Sequence, residues 1–133
     1  MYNSIIKGAV AALSIFLGSM GMTAKTSYIF LAPGVEEVEA TATVDALRRA
    51  SIDVVTVAVG DNLQIKGATG QILVADSLIS QVNTANADWL IIPGGDPGAQ
   101  NLAANSDVRN IIMEHAGKNG RIASICAGPA VVL

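Results

Sequence analysis

The sequence predicts an α/β domain built on a parallel sheet with helices on both faces. Three observations carry this. Short runs rich in Val, Ile and Ala alternate with stretches of helical pattern, the order that produces right-handed strand–helix–strand crossovers. Hydrophobic residues make up 51% of the 133 residues and charged ones only 14%, which suits strands that meet water on neither face. Three of the strand ends run directly into glycine-containing turns, and parallel strands bring all such ends to one edge of the sheet.

The elements follow in order. Residues 27–32 are an apolar run stopped by Pro33-Gly34, the mark of a buried strand. Residues 36–50 read as a helix. Its acids Glu36, Glu37 and Glu39 come first and its bases Arg48 and Arg49 last, matching the helix dipole, with Ala40, Val44 and Leu47 as the buried stripe. Residues 53–59 form a second strand. Residues 63–66 and 71–74 read as two short strands around the turn Gly67-Ala68-Thr69-Gly70, an antiparallel excursion beside the main sheet. Residues 76–82 read as a short helix or loop. Residues 88–92 are a third buried strand, ended by Pro93-Gly94-Gly95. Ser106 is expected to cap a helix reaching about Lys118, stopped by Asn119-Gly120. Residues 121–125 are a fourth strand, and a further helix is expected to begin just after Cys126.

Residues 1–26 stand apart. They carry two charges, Lys7 and Lys25, around an apolar stretch at 8–18. That stretch falls short of the about 20 apolar residues a membrane span needs. It matches a secretory signal or anchor. Met22 as the real start matches as well, and a structural helix is the third reading. Export or membrane contact through residues 1–26 follows from the first reading, and a cytoplasmic protein from the second. The segment is expected to add nothing to the fold of the domain, placed at residues 27–133.

Composition narrows the chemistry. The net charge is −3 and the basic residues are scattered, apart from Arg48-Arg49, so nucleic acid is not expected as a partner. The single cysteine, Cys126, excludes an internal disulfide framework and any multi-cysteine metal site, and no metal-ligand spacing is present.

The common edge of a parallel sheet brings together three junctions, at residues 32–39, 93–98 and 126–129. Cys126 therefore lies near the three glutamates. It sits between a strand and a helix start, the geometry of a nucleophile elbow. A helix N-terminus favours thiolate. The backbone N–H groups of Gly95 and Ala127 are candidate oxyanion donors. Buried packing is the plainer reading of a lone cysteine after an apolar strand. Glu39 beside a thiolate resists ionising and can move a proton, whereas ordinary surface charge is the plainer reading of all three acids. His115 falls near the end of its helix. The strand that follows spans roughly 16 Å at about 3.3 Å per residue, so His115 is expected at the opposite edge from Cys126, as a helix-end or surface residue.

Three motifs in order, Leu31-Ala32-Pro33-Gly34-Val35-Glu36-Glu37-Val38-Glu39, Ile91-Ile92-Pro93-Gly94-Gly95-Asp96-Pro97-Gly98 and Ala123-Ser124-Ile125-Cys126-Ala127-Gly128-Pro129, closely resemble the ThiJ/PfpI superfamily. The nearest branch is that of the Parkinson-disease protein (DJ-one) and its bacterial ThiJ-like relatives. The resemblance implies a flavodoxin-like three-layer sandwich and a homodimer. It implies Cys126 as nucleophile, Glu39 as the protonated acid beside it, and Gly95 and Ala127 as backbone oxyanion donors. It also implies cofactor-independent glyoxalase or deglycase activity on small reactive carbonyls such as methylglyoxal. A non-enzymatic redox-sensing or chaperone-like stress protein and an inactive fragment are the alternatives.

Some positions depart from the family pattern. Ala127 stands where the protease-like branch has histidine, which tells against a peptidase. Ser124 stands where glutamine amidotransferases prefer glycine. Thr69 stands where relatives often carry arginine, which tells against an arginine-based anion anchor. Family domains continue past the elbow and supply a histidine there, so residues 27–133 are expected to be incomplete at the C-terminus, with a sheet edge left open and solubility impaired.

Overall fold

The computed structural model describes residues 25–133. The readings made of residues 1–24 lie outside the described residues. Five strands form one sheet: β1 (Ser27–Leu31), β2 (Val54–Ala58), β5 (Ser77–Leu78), β6 (Trp89–Ile92) and β7 (Arg121–Ser124), in the order β5-β2-β1-β6-β7. Every pairing in it is parallel. β3 (Gln64–Lys66) and β4 (Ile72–Val74) pair antiparallel as a separate hairpin, the excursion expected from the turn at 67–70.

Each strand of the sheet centre is apolar on both sides because each side has its own helical cover. On one face Phe30, Val57, Leu90 and Ile92 pack with Leu102, Val108 and Ile112, carried by α2 (Gly98–Ala104) and α3 (Ser106–Gly117). On the other, Ile29, Leu31, Val54 and Ile91 pack with Ala40, Val44 and Leu47 of α1 (Glu37–Arg49) and with Ile65 of the hairpin. The chain is thus a flavodoxin-like three-layer arrangement, as expected.

Three local readings are corrected and one element is added. α2 begins at Gly98, where the junction at 93–98 ends, and fills residues to which the sequence reading assigned no element. It carries no charged residue and no side-chain cap, so nothing local marks it. The burial of Ala99 and Leu102, both 0% exposed, holds it in place. The cap of α3 is Asn105, whose Oδ1 accepts from Val108 N at 3.0 Å. Residues 77–78 add a short edge strand through pairing with β2, a contact no local pattern encodes. His115 does lie in the last turn of α3, but it is buried. Its Nε2 donates to the carbonyl of Arg121 at 3.1 Å, and Gly120 leaves its ring the space.

One carboxylate ties α1 to the sheet. Asp76 Oδ2 accepts from Thr56 N (2.9 Å), Thr56 Oγ1 (2.8 Å) and Arg48 Nη2 (2.8 Å). Burial pushes its pKa up, but the Thr56 hydrogen bonds and the Arg48 charge outweigh that and leave it below the ordinary 3.8. A carboxylate lowered on folding stabilises the native state above its unfolded value and loses that effect as pH falls through the folded one. Because the side chain is 44% exposed, water screens the pair and about 1 kcal/mol is at stake. Melting temperature should therefore fall less steeply for Asp76→Asn than for the parent as pH drops below 3.8. Parallel acid slopes would refute the assignment.

Candidate active site

The site is built where β1, β6 and β7 end. After β1 the chain turns through Gly34, and Val35 N bonds Ala32 O at 3.0 Å. After β6 it turns through Gly94 and Gly95. These two turns are laced together: Glu36 N donates to Gly94 O (3.3 Å) and Gly98 N to Gly34 O (3.1 Å). Gly95 has φ +102°, and a side chain there would meet Gly34 O and the Glu36 amide. Asn101 of α2 adds a strut, its Nδ2 donating to Pro33 O at 2.8 Å. The sequence reading missed this residue because it missed α2.

After β7, Ser124 Oγ and Ile125 N both donate to Ile92 O, at 3.1 and 3.2 Å. Cys126 follows with φ +58°, a left-handed conformation that costs a non-glycine residue about 1 kcal/mol. The turn ends where Gly128 N reaches Ile125 O at 3.0 Å and α4 (Gly128–Val131) begins. Cys126 is exposed, so the packing reading of this residue does not hold. The strained turn lifts it off the end of the strand.

Glu39 is brought to the same point from α1. Its Oε2 accepts from Gly94 N at 2.7 Å. The bare α-carbon of Gly94 is what lets the parts meet. A methyl group built on it would lie 2.7 Å from Cys126 Cβ, 2.9 Å from Ala127 N and 3.0 Å from Glu39 Oε2. Cys126, the Ala127 amide and the Glu39 carboxylate therefore surround one glycine. The Gly95 and Ala127 N–H groups form no hydrogen bond to another described residue, whereas that of Gly94 is taken by Glu39.

The three glutamates do not behave alike. Glu36 and Glu39 are half-buried, but Glu37 is 4% exposed, against the reading of all three as surface charge. Glu37 Oε1 accepts from Thr69 N (2.9 Å), Thr69 Oγ1 (2.8 Å) and Gln71 N (3.2 Å). Burial raises its pKa, but the hydrogen bonds from its own backbone, Thr69 and Gln71 together bring it below the ordinary 4.5. The glycine-rich turn at 67–70 was the one sequence signal pointing to such a contact. His115 takes no part in the site, as its place at the far end of β7 implied. Among the described residues no group of His, Cys, Asp or Glu could hold a metal ion, and no helix is long and apolar enough to cross a membrane.

A parallel sheet with a strained cysteine turn facing a carboxylate at its carboxyl edge defines a class of α/β proteins. The chain belongs to the DJ-1/PfpI family, whose model matches residues 25–133. It is 41% identical over 97 residues to Protein DJ-1 homolog A of Arabidopsis thaliana, covering 73% of this chain and 25% of that protein. It is 34% identical over 114 residues to the glutathione-independent glyoxalase DJR-1.2 of Caenorhabditis elegans, covering 84% of this chain and 60% of the relative. Among solved structures, oxidized DJ-1 of Toxoplasma gondii superposes with a TM-score of 0.79 at 37% identity, over 83% of this chain and 60% of that one. The chain thus spans between a quarter and three-fifths of these relatives' lengths.

Proposed function

We propose that Cys126 and Glu39 are the nucleophile and the proton-transfer group of a glutathione-independent glyoxalase acting on small reactive carbonyls such as methylglyoxal. The observation that carries this reading is the meeting of Cys126, the Ala127 amide and Glu39 around Gly94. The resemblance to a named glyoxalase supports the choice of substrate. In this scheme the Cys126 thiolate adds to the aldehyde carbon, and the alkoxide so formed takes the proton held by Glu39, which gives the hemithioacetal and leaves Glu39 as a carboxylate. Glu39 takes the proton from that carbon and returns it to the neighbouring one, so the first carbon is oxidised and the second reduced, leaving a lactoyl thioester. Water then releases lactate and restores the thiol. The net reaction is methylglyoxal plus water to lactate and one proton, with no external oxidant or reductant. The Gly95 and Ala127 amides are assigned to the negative oxygen that develops. In a glycated adduct the same carbon is bonded to an amine or thiol; release of that group as the free amine or thiol while Cys126 takes its place gives the same hemithioacetal, which extends the proposal to deglycation.

The test is lactate release from methylglyoxal with glutathione absent. Formation of lactate by the parent chain and its loss on alkylation of Cys126 is the expected result. No lactate, or lactate that survives alkylation, would refute the reading. The exposure of Cys126 favours one second reading, oxidation of the sulfur as a redox signal. A peroxide-driven mass gain at Cys126 together with no carbonyl turnover would select it.

Gly94→Ala should be more damaging than its size suggests. The added methyl must displace the cysteine, the Ala127 backbone or Glu39. Misplacement by about 1 Å costs on the order of a hundredfold in rate. Turnover within a few-fold of the parent would show that the contacts around Gly94 are not needed for the reaction.

A further inference from the structure

We infer that Glu37 is a positioning residue: its buried carboxylate pins the turn between β3 and β4 to the start of α1, and thereby holds the Glu39 carboxylate on Gly94 beside Cys126. The inference rests on the Cys126–Glu39 reading for what the positioned group does, but its geometry stands apart from it.

The turn does not need Glu37 for its own shape. Gly67 N bonds Gln71 O at 2.8 Å and Gly70 N bonds Gly67 O at 3.1 Å, which closes it. A buried carboxylate is nevertheless aimed into it, with Oε1 taking three hydrogen bonds and Oε2 buried without a partner. An unpaired buried oxygen is unfavourable, so turn stability alone does not account for it. What the carboxylate adds is a fixed distance between the turn and α1. Gly67 lies so close that a side chain there would run into the Glu37 carboxyl group.

That fixed distance reaches the site by two routes. Two residues of helix rotate by roughly 200°, so Glu37 and Glu39 leave opposite sides of the first turn of α1. One is fastened to the hairpin and the other to Gly94 N, and the turn is held between them. Along the backbone, Gly34 N bonds Lys66 O (2.8 Å) and Ala68 N bonds Val35 O (2.9 Å). The hairpin therefore also braces the loop whose Glu36 amide meets Gly94 O.

The Gly94 amide reports the position of Glu39 directly, because its hydrogen bond goes to Glu39 Oε2. Amide exchange on the full chain, resolved by residue, is the test. Glu37→Ala should speed exchange at Thr69 and Gln71 and also, by about tenfold, at Gly94. Glu37→Gln keeps an acceptor of the same reach and should return Gly94 to within about threefold of the parent. Thr69→Val approaches the clamp from the hairpin side, leaves α1 untouched, and should speed Gly94 exchange severalfold. It decides the matter if Glu37→Ala does not fold. Faster exchange confined to residues 69 and 71, with Gly94 unchanged in every variant, would overturn the inference. In the lactate assay kcat should fall about tenfold in Glu37→Ala with KM within about twofold. If the parent yields no lactate, the glyoxalase reading fails while the Gly94 measurement still decides this one.

Discussion

Cys126→Ser is expected to lower lactate formation from methylglyoxal by about a thousandfold or more, to the level of the uncatalysed reaction. The substitution changes one atom and leaves the turn intact, so the loss reports chemistry. An ordinary thiol is already a few per cent thiolate at neutral pH, whereas a serine hydroxyl is almost wholly protonated and needs a strong base beside it. No histidine approaches this position among the described residues, since His115 is buried at the far end of β7. The carboxylate at hand, Glu39, has one oxygen committed to Gly94 N. Initial rates of lactate release, with equal amide-exchange protection of β7 in both proteins, make the comparison. A rate within tenfold of the parent would remove Cys126 as the nucleophile.

The second large effect is expected at Glu39. Glu39→Gln preserves size and an oxygen able to accept from Gly94 N, but its amide cannot take up a proton and return it. The rearrangement requires one proton to leave the first carbon and one to reach the second. Loss of a positioned acid–base group costs on the order of a hundredfold or more. Lactate formation should fall by that factor, while iodoacetamide labelling of Cys126 changes by about threefold or less. The split between the two readouts separates proton transfer from access to the sulfur. Equal lactate formation would remove Glu39 from the mechanism. An equal drop in labelling would make Glu39 a neighbour that merely keeps the sulfur reactive.

The glyoxalase reading also explains why the glycines crowd the carboxyl edge. Three loops from distant parts of the chain must approach within a bond length or two of contact. Gly34, Gly94, Gly95 and Gly98 are points where a side chain would hold them apart. Packing supplies the rigidity: Ile91, Ile92, Leu90 and Phe30 are all less than a tenth exposed, so the strand ends that carry the loops are fixed to the core.

Local pattern alone determined four of the five strands of the sheet, because a run such as Trp89–Ile92 is apolar throughout and is cut off by Pro93-Gly94-Gly95. It determined α1, whose charges follow the helix dipole, and it placed Cys126 and the glutamates on one edge, because parallel strands leave no other choice. Tertiary structure decided the rest. α2 exists because Ala99 and Leu102 find a core to enter, and no cap or charge announces it. Glu37 and Glu39 are the same residue type two positions apart, and nothing within α1 distinguishes them. Glu37 is buried because Thr69 and Gln71, more than thirty positions along, bring it three donors. Glu39 and Cys126 come to the same glycine because Gly94, fifty-five positions from Glu39, offers an N–H and no side chain. Strand and helix signals are written within about ten neighbouring residues, where backbone propensity and period act. The fate of a carboxylate depends on which donors the fold delivers to it, and those come from segments that only packing brings together.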